Sequence, residues 1–191
     1  MSTPRAGLLW DQPQVLSRFI EDCGVNCELV TPQLVATPFF RGSFSTLVVP
    51  TGFGNREYSH LLPALRASSG RIRRFVEGGG SLIVFGAAAD RPDAYDWLPF
   101  QLTYHHQYGE QSVTFNDAGH WSTLFEGYDH DHLECDGWFP TYEGMVIASA
   151  HGNAVMVEAT ISRGTVLVTT IHEYPSRDIL ATFCSGEATI F

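Results

Sequence analysis

The chain of 191 residues carries 11 Lys and Arg against 21 Asp and Glu, a formal charge of −10, and phosphate backbones are bound by Lys and Arg, so nucleic acid is not an expected partner. A hydrophobic fraction of 44% with 17% charged residues describes a globular chain rather than a disordered one. No stretch approaches the ~20 apolar residues of a membrane span, and the apolar run Ala6–Trp10 is too short for a secretory leader, so the expectation is one cytoplasmic domain over residues 1–191, away from membranes, with Cys23, Cys27, Cys135 and Cys184 as free thiols.

Ala6–Trp10 reads as a first strand, and Asp11 with Pro13 as a helix start with an Asp cap and Pro in the first turn. Val15, Leu16, Phe19 and Ile20 then repeat at helical spacing until Gly24. Cys27–Val30 is a second strand. Ser45–Pro50 is a buried strand that runs into the glycine turn Thr51–Asn55, the arrangement found at the carboxyl edge of a parallel sheet, where ligands bind. Ser69–Glu77 is a helix with Ile72, Phe75 and Val76 facing inward, closed by Gly78, Gly79 and Gly80. The arginines Arg66, Arg71, Arg73 and Arg74 fall at helical spacing and read as a solvated face. Ser81–Phe85 is the next strand and Gly86–Asp90 the turn after it.

Alternating strands and helices imply an α/β domain with a mostly parallel central sheet covered on both faces. From about Arg91 to Tyr142 the pattern breaks into an insertion rich in aromatics, among them Trp97, Tyr104, Tyr108, Trp121, Phe125, Trp138 and Phe139, with short antiparallel strands near Leu102–Tyr108 and Gln111–Phe115. Strands over Met145–Ser149, Ala154–Glu158 and Thr165–Ile171, a hairpin turn at His151–Asn153 and a helix over Ser176–Phe183 complete the chain.

Three segments carry a resemblance. Arg71-Ile-Arg-Arg-Phe-Val-Glu-Gly-Gly-Gly-Ser-Leu-Ile-Val-Phe-Gly86 is a helix leading through glycines into a strand, Leu47-Val-Val-Pro-Thr-Gly52 is a strand with a glycine turn, and Gly164-Thr-Val-Leu-Val-Thr-Thr-Ile-His172 is a strand ending in histidine. In this order they resemble class I glutamine amidotransferase-like domains and their relatives of the trehalose-utilisation and biotin-ligase N-terminal types. The resemblance implies a flavodoxin-like three-layer sandwich, oxyanion-hole amides near Gly52, and His172 as the triad histidine. It implies a ligand cleft built from Thr51, Gly52, Gly54, Asn55, Gly86, Ala87 and Ala88. An active member has Gly-x-Cys-x-Gly at the elbow, because the attacking group is a thiolate. Here the elbow is Gly86-Ala87-Ala88-Ala89-Asp90, so Ala88 stands at the nucleophile position and glutaminase activity is not expected. The triad acid two residues beyond the histidine is replaced by Tyr174. Glu173 is adjacent to His172, and neighbours on a strand point to opposite faces.

Other groups offer other chemistry. In an extended segment His130, His132, Glu134 and Asp136 would share one face, and imidazole with carboxylate suits a divalent transition metal. His172 would add a ligand, and a metal-bound water would replace the lost thiolate. The alternative is a solvated acidic turn. Cys135 is a candidate nucleophile toward His172, or a buried thiol beside a turn. His105, His106, Tyr104 and Tyr108 either line a pocket or belong to the core. His60 either faces the cleft or caps a helix. Three functions follow: a non-catalytic domain binding a small polar molecule or a protein partner near His172, a hydrolase using His172 with Glu173 and a metal, and an assembly subunit or homo-oligomer docking through the aromatic insertion.

Overall fold

The computed structural model describes residues 5–116 and 123–191. Trp121 and the first four residues lie outside them. The described chain runs β1 (Arg5–Leu9), α1 (Val15–Asp22), β2 (Asn26–Val30), α2 (Pro32–Ala36), β3 (Ser43–Phe44), β4 (Thr46–Val49), α3 (Leu61–Ala67), α4 (Ser69–Glu77), β5 (Ser81–Val84), β6 (Leu102–Gln111), β7 (Val113–Phe115), β8 (Leu133–Tyr142), β9 (Met145–Ala150), β10 (Asn153–Ile161), β11 (Gly164–Thr169), α5 (Arg177–Phe183) and β12 (Thr189–Ile190).

The protein is an α/β domain around one mixed sheet in the order β2-β1-β4-β5-β11-β10-β8-β6, with β9 also joined to β10 and β7 joined to β9. The first five strands are parallel neighbours. Counted along the chain, they stand in the order second, first, third, fourth, fifth. Beyond β11 the sheet turns antiparallel. β11 pairs in parallel with β5 on one side and antiparallel with β10 on the other. Among the described residues no helix is long and apolar enough to cross a membrane.

Strand alternation divides the core in two. Leu9, Leu47, Val49, Leu82, Val84, Val166 and Val168 pack under Leu61, Leu65, Ile72 and Phe75 of α3 and α4. Ala6, Leu8, Val48, Ile83 and Leu167 point the other way, onto Leu16 and Ile20 of α1 and Ile179 and Leu180 of α5. The parallel strands are buried on both faces, which is why they read as unbroken apolar runs.

Several expectations are corrected. Asp11 does not cap α1, which starts at Val15 with Gln14 as its cap residue. The Asp11 carboxylate instead accepts the Ser59 hydroxyl at 2.5 Å and the His60 N–H at 3.2 Å, tying β1 to the start of α3. The arginines are not simply a solvated face. Arg66 pairs with Asp93 and Asp96. Arg71 donates to the carbonyls of Val35 and Thr37 and lies 4.5 Å from the centroid of the Phe191 ring.

Within residues 91–142, β6 and β8 pair along their length and extend the central sheet past β10. The aromatics expected to be available for docking are largely core: Tyr95, Trp97, Tyr104, Phe125 and Phe139 are fully buried and Trp138 is half-buried. Tyr95 stacks edge-on against Phe53, Tyr104 and Phe139, knitting the antiparallel strands to the parallel half.

Candidate functional site

The site forms where β4, β5 and β11 end. Loops at the carboxyl ends of parallel strands form the ligand crevice of open α/β sheets. β5 runs into Phe85 and Gly86, and the chain then turns at Ala88 with φ +50°. A non-glycine residue in this left-handed region is strained by about 1 kcal/mol or more and persists only where its surroundings hold it. The holding contacts are visible. Gly52 N–H donates to the Gly86 carbonyl at 2.8 Å, Gly54 N–H donates to the Ala87 carbonyl at 3.0 Å, and Ala88 N–H donates to Asp136 Oδ2 at 2.6 Å.

Asp136 comes from β8. Its N–H donates to the Thr170 carbonyl at 2.8 Å, and the Thr170 hydroxyl donates to the Gly137 carbonyl at 2.8 Å. Two residues on, His172 N–H donates to the Glu134 carbonyl at 2.8 Å. This short antiparallel pairing lays Asp136 beside His172. The Asp136 side chain is buried, with 1% exposure. Its Oδ2 accepts from Ala88 N–H and from the Tyr104 hydroxyl. Its Oδ1 lies 3.4 Å from His106 Nδ1 and 3.6 Å from His172 Nε2. His106 Nδ1 is also 2.9 Å from the Asp136 carbonyl, an acceptor only, so Nδ1 carries a hydrogen there. Burial pushes the Asp136 carboxyl up, but His172, the Tyr104 hydroxyl and the Ala88 amide together outweigh it and hold the pKa below the usual carboxylate value. Burial, the neighbouring Tyr95 and Asp136 raise the Tyr104 phenol, so it stays a donor.

A cleft of about 410 Å³ opens above this group, lined by Thr51, Gly52, Asn55, Tyr58, Ala88, His106, Tyr108, Asp136 and His172. That volume suits a small ligand. The Tyr108 ring stands edge-on to the His172 imidazole, 5.3 Å between centroids, and the neighbouring Glu134 side chain raises its phenol above the usual tyrosine value.

Comparison with known proteins gives a fold. No protein-family profile matches the sequence, and no curated protein matches it. The chain is similar to the solved structure of cytoplasmic protein STM1381 from Salmonella typhimurium LT2, with 13% identity, 94% of this chain and 96% of that one covered, and a TM-score of 0.52. It is similar to cytoplasmic protein STM3548 from Salmonella typhimurium, with 10% identity, 97% and 99% covered, and a TM-score of 0.52. It is also similar to part of a cold-adapted β-galactosidase from Rahnella sp. R3, with 13% identity and a TM-score of 0.53, covering 95% of this chain and 30% of the galactosidase. At these identities the likeness concerns the α/β fold alone.

The expected site residues divide accordingly. Thr51, Gly52, Asn55, Ala88 and His172 meet in the cleft. Gly54, Gly86 and Ala87 form its frame. The amides of Gly52, Gly54 and Ala88 are consumed by carbonyls and a carboxylate of the chain itself, so they are not free to hold an oxyanion. Glu173 does not serve His172. Its Oε1 accepts Glu134 N–H at 2.9 Å and its Oε2 is buried without a hydrogen-bond partner. Asp136 takes the position beside the imidazole instead.

Cys135, adjacent to Asp136 on β8, faces away into the core with 1% exposure. Burial, then Glu173, pushes its thiol up to about 12. Burial also raises Cys184 to about 11 and Cys27 to about 12. A nucleophile is a thiolate, so Cys135 is corrected to a packing residue. In native protein at pH 7.5, an aromatic disulfide reagent should leave Cys135 and Cys184 unmodified over the time that denatured protein takes to react at all four cysteines. Rapid native labelling of Cys135, located by peptide mass, would contradict this.

The metal set is also corrected. His130–His132 forms a tight 3-10 turn capped by Asp129, not an extended segment, so its side chains do not share a face. His130 Nε2 lies 3.2 Å from the Phe125 carbonyl, and His132 pairs with Glu110. Among the described residues, no group of three His, Cys, Asp or Glu side chains is placed to hold a metal ion. His60 stands at the start of α3 with its exposed ring beside Asp11, outside the cleft lining. His106 and Tyr108 line the cleft, while His105 stacks on Trp138 at 4.2 Å.

Proposed function

We propose that this chain is a flavodoxin-like, class I glutamine amidotransferase-like domain that has given up glutamine hydrolysis and binds a small polar ligand in the cleft between Asn55, His106 and His172. The 2-1-3-4-5 order of the parallel strands is the flavodoxin-type order. The strained turn at Ala88 and the histidine just past β11 support the amidotransferase-like reading. The observation that carries the functional part is the Asp136 carboxylate seated on the elbow. It takes the Ala88 amide and crowds Gly86, which puts a negative charge beside the position where a thiolate would stand. A thiolate placed there would be repelled and its pKa raised.

Two measurements test the reading. The first restores the nucleophile. The Ala88→Cys protein is expected to release no ammonia from glutamine above the wild-type background, because the carboxylate remains beside the new thiol. Measurable glutaminase activity in Ala88→Cys would refute the lost-catalysis claim. The second is a panel of monosaccharides, primary amides, amines and small carboxylates followed by amide chemical shifts. Binding is expected to move the resonances of Gly52, Ala88 and His172 together, and His106→Ala is expected to weaken it at least about tenfold. A panel without any such shift removes the ligand-binding reading.

A further inference from the structure

The sheet forks at β10. One branch continues through β9 to β7, the other through β8 to β6. β10 and β8 meet at the pair Ala154–Phe139, while further back along β8 Cys135 bridges Ile171 beyond β11. A cavity of about 200 Å³ lies in the fork. Its floor is apolar, made by Cys135, Gly137, Ala150 and Val155, all buried. The half-buried Trp138 forms its wall, and His105 braces the indole at 4.2 Å between centroids. At the rim stand Gln107, Gln111, His151 and Asn153, three amides and an imidazole. None of these four side chains has a hydrogen bond or ion pair with another described residue. No Asp, Glu or Arg lines the cavity. Gln107 and Cys135 alternate along their strands with His106, Tyr108 and Asp136 of the cleft, so the cavity opens on the other face of the β6–β8 pair and shares no lining residue with the cleft.

We propose that this cavity is a second ligand site, built for a neutral polyhydroxylated ring of monosaccharide size. It is independent of the ligand-binding reading of the cleft. The volume equals the share of roughly seven water molecules at ~30 Å³ each, enough for one small ring. A hydroxyl both donates and accepts, and so does a carboxamide, so Gln107, Gln111 and Asn153 match hydroxyls in either sense. The C–H face of such a ring turns partial positive charge toward an aromatic, whose face is negative. A carboxylate or an ammonium would leave water for a cavity that holds no counter-charge. A flat hydrocarbon would suit the floor and the indole but leave the three amides without partners.

The test is titration of the full chain with glucose, galactose, glucuronate and indole, followed by amide and indole N–H chemical shifts. Glucose or galactose is expected to move the resonances of Gln107, Trp138 and Asn153 together, with those of Gly52 and Ala88 still. Glucuronate should bind at least about fivefold more weakly than the better neutral sugar. Trp138→Ala should weaken sugar binding at least about tenfold. Because that change also removes packing, Gln107→Ala serves as the second variant. Its side chain is exposed and holds no other residue, so it should lower affinity about fivefold with thermal stability unchanged. Shifts confined to Gly52, Ala88 and His172 would put the sugar in the cleft and overturn the second site. No shift with either neutral sugar, tighter binding of indole or glucuronate, or unchanged sugar affinity in Gln107→Ala would overturn it as well.

Discussion

Asp136→Asn is expected to lower the unfolding free energy by about 3 kcal/mol, the scale of removing one partner from a buried, hydrogen-bonded charge group. For a chain of this length that corresponds to a fall in Tm of roughly 6–12 °C. The carboxylate accepts from the Ala88 amide and the Tyr104 hydroxyl and faces two imidazoles. An asparagine oxygen could still accept from both donors, which meet the same oxygen, but the charge is lost and the amide puts hydrogens where Oδ1 faces the two imidazoles. The effect has a pH signature. The folded-state pKa of Asp136 is depressed, so its ionised form stabilises the fold. That contribution is fully present above the unfolded carboxyl value near about pH 4, and it is lost as pH falls through the lower folded value. The stability gap between wild type and Asp136→Asn should therefore be full at pH 6 and narrow on acidification below about pH 4. Urea unfolding across that range measures it. A gap equal at both ends would mean that Asp136 acts through shape rather than charge.

Gly86→Ala should destabilise by roughly 2–3 kcal/mol, as overpacking of a filled site does. A Cβ at this position would stand 2.6 Å from the Asp136 Cβ and 2.8 Å from its Cγ, and closer still to Oδ2. The aspartate is pinned by its own hydrogen bonds and by the pairing of its backbone with Thr170, so it cannot swing aside cheaply. Gly86 is thus needed for the close approach of another side chain rather than for its own backbone freedom. The cycle with Asp136→Gly makes this decisive. With the aspartate side chain removed, Gly86→Ala should cost less than about 1 kcal/mol, since the two positions are coupled only through contact. An undiminished cost in that background would place the strain elsewhere. Both changes should also alter the cleft, because the Ala88 turn is held by the same carboxylate.

The parallel half of the domain was legible in the sequence because its signals are local. β1, β4, β5 and β11 are unbroken apolar runs, and burial on both faces requires such runs. Helix α4 was read with its structural bounds, Ser69–Glu77, since Ile72, Phe75 and Val76 recur at helical spacing before three glycines. The hairpin turn at His151–Gly152 was also visible, and both residues adopt positive φ as such turns demand. β8 was harder to see. It contains Asp136-Gly137 and Pro140, residues that read as turn signals. They are tolerated there because Asp136 serves the elbow and Gly137 lies against the His105 backbone. Short α2 and α3 gave no long periodic pattern, and packing against the sheet decides helices of that length.

What the residues alone determined was the alternating α/β order and the glycine turns that follow β4 and β5, because each follows from chain-local patterns along adjacent strands. What only the tertiary structure decided was the partner of His172. Glu173 is next to His172 in the chain and is bound to Glu134 N–H, whereas Asp136 is 36 positions earlier and lies 3.6 Å from the ring. β8 returns to pair with the segment after β11 through long-range backbone hydrogen bonds that no local pattern encodes. The same pairing turned Cys135 inward and Asp136 toward the cleft, and so set the charge at its floor.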